Sequence, residues 1–272
     1  MEQLNLLNLQ SCKSPLTYIG GKRRLWSTIS RLLPHNLKEI ASPFVGGASI
    51  ELAIAAQGVD VFCSDNHFEL VNFWNYFKKD SFKICEIADS LWPMTQKNYD
   101  LLYEDFTIKT SNLIDPKDSL QLAVAFLLLN KSSFFGLISS NGFKKRITHN
   151  ALYFMKSEWS NWNNDYFHIE CLDCFDAIKK HENKFLFLDP PYVDKEDYYD
   201  PKIKKGSFDH KKLAEVLKRH KHGWLMTHER HPLIYDLYEG FEIINYEYIN
   251  DMVRVKEKVP NKISKEIIIR KI

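Results

Sequence analysis

The sequence predicts an α/β protein with a mostly parallel sheet, interrupted by an insertion. Three stretches carry that prediction. Residues 39–65 read strand, glycine turn, helix, strand, which is one βαβ unit. Phe185–Leu188 is a short, fully apolar run closed by Pro190 and Pro191, which suits a buried parallel strand. Between Trp92 and Tyr166 the alternation of strand and helix is lost and resumes afterwards. The chain therefore divides into 1–91, an insertion over 92–166, and 167–272.

Taken in order, residues 1–15 carry no clear signal. Leu16-Thr-Tyr-Ile-Gly-Gly-Lys22 leads into a basic helical stretch from Arg23 to about Leu33. Two glycines let backbone approach a ligand closely, Lys22 can neutralise a carboxylate, and Tyr18 can pack on a planar group. The same text also describes a turn before a surface helix. Glu39–Phe44 is the first core strand and ends in Pro43-Phe-Val-Gly-Gly-Ala48. The helix Ser49–Gln57 turns Ile50, Ala53 and Ile54 to the sheet, with Gly58 closing it. Val59–Ser64 is the second strand. Asp65 follows it, about 20 positions beyond Gly46, the spacing at which a carboxylate holds ribose hydroxyls. Phe68–Phe77 and Phe82–Leu91 read as helices separated by Asp80-Ser81, a break and N-cap.

In the insertion, Gln121–Asn130 is an apolar helix, and Lys131–Asn150 is a polar, basic loop carrying Phe134, Phe135 and Phe143. Basic groups interleaved with aromatics suit contact with phosphates and bases, and equally a loop anchored by three rings. Trp159 and Trp162 are expected to anchor its end. Beyond it, Phe167–Leu172 is a strand with Asp173 at its end, and Phe175–Lys180 a short helix. Then come the run at Phe185, helix Asp209–Lys221 with Leu213, Val216 and Leu217 on one face, strand Trp224–Thr227, and helix Pro232–Tyr238. Phe241–Asn250 and Ile263–Arg270 form a closing antiparallel pair. Histidines 220, 222, 228 and 231 lack a metal spacing, and surface roles are expected for them.

Composition bounds the function. Hydrophobic residues at 44% and charged ones at 26% of 272 positions describe a globule with ample core. No apolar stretch is long enough to span a bilayer, and the start lacks the basic region and cleavage site of a signal peptide. A cytoplasmic protein is the expectation. A net charge of +2 is too mild to imply nucleic acid by itself, so the local clusters at Phe143–His149 and Lys202–Lys221 matter more. Five cysteines suit a reducing compartment. Cys171-Leu-Asp-Cys174 has no second pair to complete a zinc site, and no metal is expected.

Asp189-Pro190-Pro191-Tyr192 is the stretch with chemistry in it. The prolines stiffen a turn at a strand's carboxyl end, where open α/β sheets bind ligands. An exocyclic amino nitrogen on a base is a poor nucleophile because its lone pair is delocalised. Asp189 and the Pro190 carbonyl can each accept one of its N–H bonds, aiming the lone pair at an electrophilic methyl, while Tyr192 stacks on the base.

With Tyr18-Ile-Gly-Gly-Lys22, Pro43-Phe-Val-Gly-Gly47, Ser64-Asp65-Asn66 and Asp189-Pro-Pro-Tyr192 in that order, the chain resembles the Dam-type (alpha group) DNA adenine-N6 methyltransferases. The likeness runs from about Leu16 to the C-terminus. It implies a Rossmann-like methyltransferase fold with a mostly parallel seven-stranded sheet, a C-terminal antiparallel pair and a mostly helical target-recognition insertion. It further implies S-adenosyl-L-methionine as methyl donor, without metal, and double-stranded DNA as substrate with the adenine flipped out. The cofactor side would take Tyr18, Lys22, Phe44, Gly46, Asp65, Asp173 and Asp189. Catalysis would fall to Asp189, Pro190 and Tyr192, and DNA contact to Lys131, Asn141, Lys144, Lys145 and Arg146. A restriction endonuclease acting on the same site without a stable complex is the expected partner, and a nucleoid association follows from DNA binding.

The chain departs from the family pattern in three places. The glycine motif reads Gly46-Gly47-Ala48 where many relatives carry Gly-x-Gly. Asn130-Lys131 and Phe134-Phe135-Gly136 stand near the usual Asn-Arg and Phe-Asn-Gly. Thr227-His228 replaces a common Ser-Asn, with no effect on chemistry expected. A cytosine-N4 methyltransferase poses the same chemical problem, but that class more often opens its turn with Ser. A catalytically silent DNA-binding regulator is opposed by Asp189, Lys22 and Asp65, and an NAD-dependent oxidoreductase by the missing G-x-G-x-x-G.

Overall fold

A computed structural model describes residues 14–18, 20–111, 120–138, 142–144, 159, 165–193, 208–249 and 263–272. The described strands form a seven-stranded sheet in the order β3-β2-β1-β4-β5-β7-β6. They are β1 Glu39–Ser42, β2 Asp60–Asp65, β3 Phe167–Cys171, β4 Phe185–Leu188, β5 Trp224–Glu229, β6 Glu242–Ile249 and β7 Ile263–Lys271. The expected α/β architecture is therefore present, with the parallel strands first in sequence and the antiparallel pair last. The chain forms two compact units, 1–177 and 178–272.

In the first unit, β1 and β3 flank β2 in parallel, with Ile40 beside Val61 and Val61 beside Phe167. Helix α1, Trp26–Leu32, follows a 3-10 turn over Lys22–Leu25. Helix α2, Ser49–Ala55, is buried on nearly every side, which is why its composition is apolar with Ser42 Oγ donating to its buried Glu51 at 2.7 Å. Helix α3, Phe68–Ser90, carries the expected break. Asp80 has φ −157° and ψ 78°, and its carboxylate accepts the Lys83 N–H at 2.8 Å, so Asp80 caps the second half.

Helix α4, Gln96–Ser111, is absent from the sequence expectation. Its buried side is narrow, with Tyr99 and Phe106 on it and Leu101 and Ile108 exposed, so no apolar stripe announces it. The available signal was local: Thr95 Oγ1 accepts the Asn98 N–H at 3.2 Å, an N-cap. Helix α5, Leu120–Ser132, is buried all along Leu122–Asn130 and packs on α3. A helix apolar all round is a core helix. Rings make the contact, with Phe73 meeting Phe126 at 5.8 Å, and Trp159, beyond α5, packs on Phe77 of α3 at 5.4 Å as an anchor would. Each such fully buried ring contributes roughly 1.5–3 kcal/mol. The expectation for Trp162 lies outside the described residues. Helix α6, Cys174–Lys180, follows β3.

In the second unit, β4 runs parallel to β5, and β7 is antiparallel to both β5 and β6. Helix α7, His210–Arg219, is capped by Asp209, which accepts the Lys212 N–H at 2.9 Å, and it buries Leu213, Ala214 and Leu217. Helix α8, Pro232–Leu237, starts with proline at its first turn.

The surface expectation for the histidines is overturned at two positions. His228 is fully buried at the end of β5, and His220 is buried with its Nε2–H donating to the Lys184 carbonyl at 2.9 Å. His231 serves as a cap, its Nδ1 accepting the Leu233 N–H, and His222 is exposed. Burial lowers the His220 imidazole from its ordinary value of 6.5, so the folded chain favours the neutral ring. The depressed value makes this contribution to stability full above 6.5 and lost as pH falls through the folded-state value. Melting temperatures measured across mildly acidic pH should therefore drop faster for the parent than for His220→Gln; parallel curves would remove His220 from the acid response.

Candidate functional site

The first unit builds a glycine cradle at the carboxyl ends of β1 and β2. Parallel pairing of these strands brings the turn after β1 against Asp65 at the end of β2. The Gly46 N–H donates to Asp65 Oδ2 at 3.1 Å and the His67 N–H to Oδ1 at 3.0 Å. Burial raises the Asp65 carboxyl above its ordinary value, opposed by the backbone N–H bonds from His67, Gly46 and Asn66. Trp74 Nε1–H donates to the Gly46 carbonyl at 3.0 Å, which fixes the other side of the turn. Gly46 sits at φ +44° and Ala48 at φ +52°.

Both glycines also make room for Tyr18. A Cβ at Gly46 would lie 2.9 Å from Tyr18 Cε1, and one at Gly47 would lie 2.6 Å from Tyr18 Cβ. Tyr18, Gly46, Gly47 and Asp65 are thus one contiguous group. Lys22 is buried, and its ammonium donates to the Gly20 carbonyl. Phe44 is half-buried beside the turn in sequence. Asp173 Oδ1 accepts the Phe175 N–H at 2.8 Å, so this carboxylate also caps α6.

The second unit builds the turn over Asp189–Tyr192. Leu188 pairs with Met226, which places Thr227 of β5 level with Asp189. The Thr227 hydroxyl donates to Asp189 Oδ1 at 2.8 Å and lies 3.4 Å from the Leu188 carbonyl. Thr227 is fully buried and Pro190 is buried behind the turn, while Asp189 is half-buried. Tyr192 is buried with its ring 4.9 Å from that of His228, and His228 lies 5.4 Å from His210. Thr227 therefore bonds to Asp189 and His228 packs beside the Tyr192 ring, contacts absent from the sequence expectation. The missed signal was the parallel register: the residue ending one strand faces the residue ending its neighbour.

Of the residues assigned to DNA, Lys131 is half-buried at the end of α5 and Lys144 is exposed. The Lys144 N–H donates to the Ser132 carbonyl at 2.7 Å, and Ser133 pairs with Phe143 as an antiparallel bridge. Asn141, Lys145 and Arg146 lie outside the described residues. Cys171 and Cys174 carry free thiols, and among the described residues no three metal-ligating side chains gather. No described helix is long and apolar enough to cross a membrane.

The chain is 27% identical over 206 residues to the type II methyltransferase M1.LlaDCHI of Lactococcus lactis subsp. cremoris, covering 70% of this chain and 68% of that one. It is 26% identical over 245 residues to the type II methyltransferase M.CviBI of Paramecium bursaria Chlorella virus NC1A, covering 86% and 90%. It is 28% identical over 196 residues to the modification methylase StsI of Streptococcus sanguinis, covering 66% and 29%. The family model described as D12 class N6 adenine-specific DNA methyltransferase matches residues 18–252, from Tyr18 of the cradle through the Asp189–Tyr192 turn and β6. A match of that extent makes this chain a member of the D12 class N6 adenine-specific DNA methyltransferases.

Proposed function

We propose that this adenine-specific methyltransferase takes its methyl group from S-adenosyl-L-methionine and delivers it to N6 of an adenine turned out of duplex DNA. The observation that carries the reading is the Thr227-held carboxylate of Asp189 at the end of β4, with the Tyr192 ring in the same turn. The cradle of the first unit fits the donor. Its two glycines lack Cβ atoms where the Tyr18 side chain packs on them, and that ring offers a flat apolar face. The Asp65 carboxylate, held in place by backbone N–H groups, would accept a ribose hydroxyl on its remaining lone pair.

When bound, S-adenosyl-L-methionine supplies a methyl group on a positively charged sulfur. Lys22 would neutralise the donor's carboxylate and Tyr18 pack on its planar part. Phe44 and Gly46 would line the cradle, with Asp173 near the donor's base. At the turn, Asp189 and the Pro190 carbonyl would each accept one N6–H bond. That makes the nitrogen pyramidal and frees its lone pair, while Tyr192 holds the base plane. Thr227 sets the rotation of the Asp189 carboxylate, so the acceptor is in place before the base arrives. The surplus proton on N6 then leaves to solvent.

The insertion over 92–166 would read the DNA, with Lys131, Asn141, Lys144, Lys145 and Arg146 meeting phosphates or bases. The type II and modification names of its relatives support a role opposite a restriction endonuclease recognising the same site. The enzyme would act in the cytoplasm, on the nucleoid.

Incubating duplex DNA with donor labelled in its methyl group, then hydrolysing the DNA to nucleosides, should put the label in N6-methyl-2′-deoxyadenosine. Label in cytosine, or none, overturns the reading. Thr227→Val keeps the shape of the side chain and removes the hydroxyl. It should slow single-turnover transfer about tenfold with donor affinity unaltered, and Thr227→Ser should restore the rate. Equal rates for parent and Thr227→Val would free Asp189 from that contact.

A further inference from the structure

The segment leading into Tyr18 is held from a distant part of the chain. Asn130, buried near the end of α5, makes three hydrogen bonds with one side-chain amide. Its Oδ1 accepts the Thr17 N–H at 2.9 Å, and its Nδ2 donates to the Thr17 carbonyl at 2.9 Å and to the Gly136 carbonyl at 3.1 Å. Both main-chain groups of Thr17 are thereby bound by a residue 113 positions later, as a neighbouring strand would bind them. Gly136, at φ +76°, closes the other side: a Cβ there would lie 1.9 Å from the Thr17 carbonyl oxygen. Thr17 is the residue before Tyr18, whose ring covers Gly46 and Gly47.

We propose that Asn130 is a positioning residue for donor binding, holding the Thr17 backbone so that the Tyr18 ring stays over the glycine pair. The inference rests on the reading of the cradle as the donor site. It gives the recognition insertion a second role, because the end of α5 holds one wall of the cradle. The same few residues carry the basic loop, since Lys144 bonds to Ser132 and Phe143 pairs with Ser133. Burial of an amide with all three bonds made explains why Asn stands here. An apolar residue of equal size would leave Thr17 N–H, Thr17 C=O and Gly136 C=O without this partner.

Donor affinity is measured calorimetrically for the parent, Asn130→Asp and Tyr18→Ala, each checked for a cooperative melt. Asn130→Asp keeps the shape but sets a carboxylate against two carbonyls. It should weaken donor binding by about tenfold or more, raise KM for the donor more than it lowers kcat, and speed amide exchange in residues 14–18. A folded Asn130→Asp that binds donor as tightly as the parent, while Tyr18→Ala does not, overturns the inference and leaves the cradle reading standing. A parent that binds no donor, or a Tyr18→Ala that binds it normally, overturns the cradle reading and the inference with it. Should Asn130→Asp not fold, exchange in the parent decides: fast exchange at the Thr17 amide overturns the clamp, and slow exchange supports it.

Discussion

Asp189→Ala is expected to abolish methyl transfer while the chain still folds and still binds DNA. In the proposed mechanism the carboxylate, held at 2.8 Å by Thr227, is the side-chain acceptor in the turn, and alanine offers the amino group nothing in its place. Loss of a positioned acceptor in the transition state costs on the order of 10²–10⁴ in rate. The fold has less at stake. Asp189 is half-buried at a strand end, and the Thr227 hydroxyl retains the Leu188 carbonyl at 3.4 Å as a partner. One neutral-to-charged hydrogen bond contributes roughly 1.5–3 kcal/mol. Single-turnover transfer from labelled donor, with melting and gel-shift controls, reads all three properties. Transfer by Asp189→Ala near the parent rate would remove the carboxylate from the mechanism.

Gly47→Ala is the second large effect. The added Cβ would lie 2.6 Å from Tyr18 Cβ and 3.2 Å from Tyr18 Cγ. Tyr18 cannot swing this contact away, because Cβ is fixed to the backbone and Thr17 beside it is bound by Asn130. Either the turn after β1 or the Tyr18 segment must shift. Overpacking of this kind costs about 1–3 kcal/mol, and if the cradle absorbs it, donor binding weakens by roughly 5- to 150-fold. Gly46→Ala meets Tyr18 Cε1 at 2.9 Å and adds the strain of φ +44°. Donor titrations of both variants, alongside their DNA affinities, check the result. Unchanged donor affinity in Gly47→Ala would mean the Tyr18–glycine contact is no part of the donor seat.

Gly46 and Asp65 show what spacing can and cannot convey. Their separation along the chain suggested a ribose-binding carboxylate, and the strands do bring them together. The same carboxylate also braces the turn, accepting the Gly46 and His67 N–H groups, so Asp65→Asn should damage the turn as well as ligand binding. Asp173, proposed to lie near the donor's base, likewise caps α6. Neither bond was legible, because each depends on where a backbone N–H points after folding.

By itself the sequence determined the order and type of most elements, and the stiffness of the Asp189–Tyr192 turn. Those depend on local physics: the apolar run Phe185–Leu188, the φ-locked Pro190 and Pro191, the Asp80-Ser81 break and the glycine pair act within a few residues. Tertiary structure decided the contacts of single side chains. Thr227 reaches Asp189 over 38 positions and Asn130 reaches Thr17 over 113. His220 and His228 are buried by neighbours their own surroundings in sequence do not reveal. Helix α4 formed on a narrow apolar edge whose partner is α5. Such pairings arise from strand register and helix packing, which no periodicity within one segment encodes.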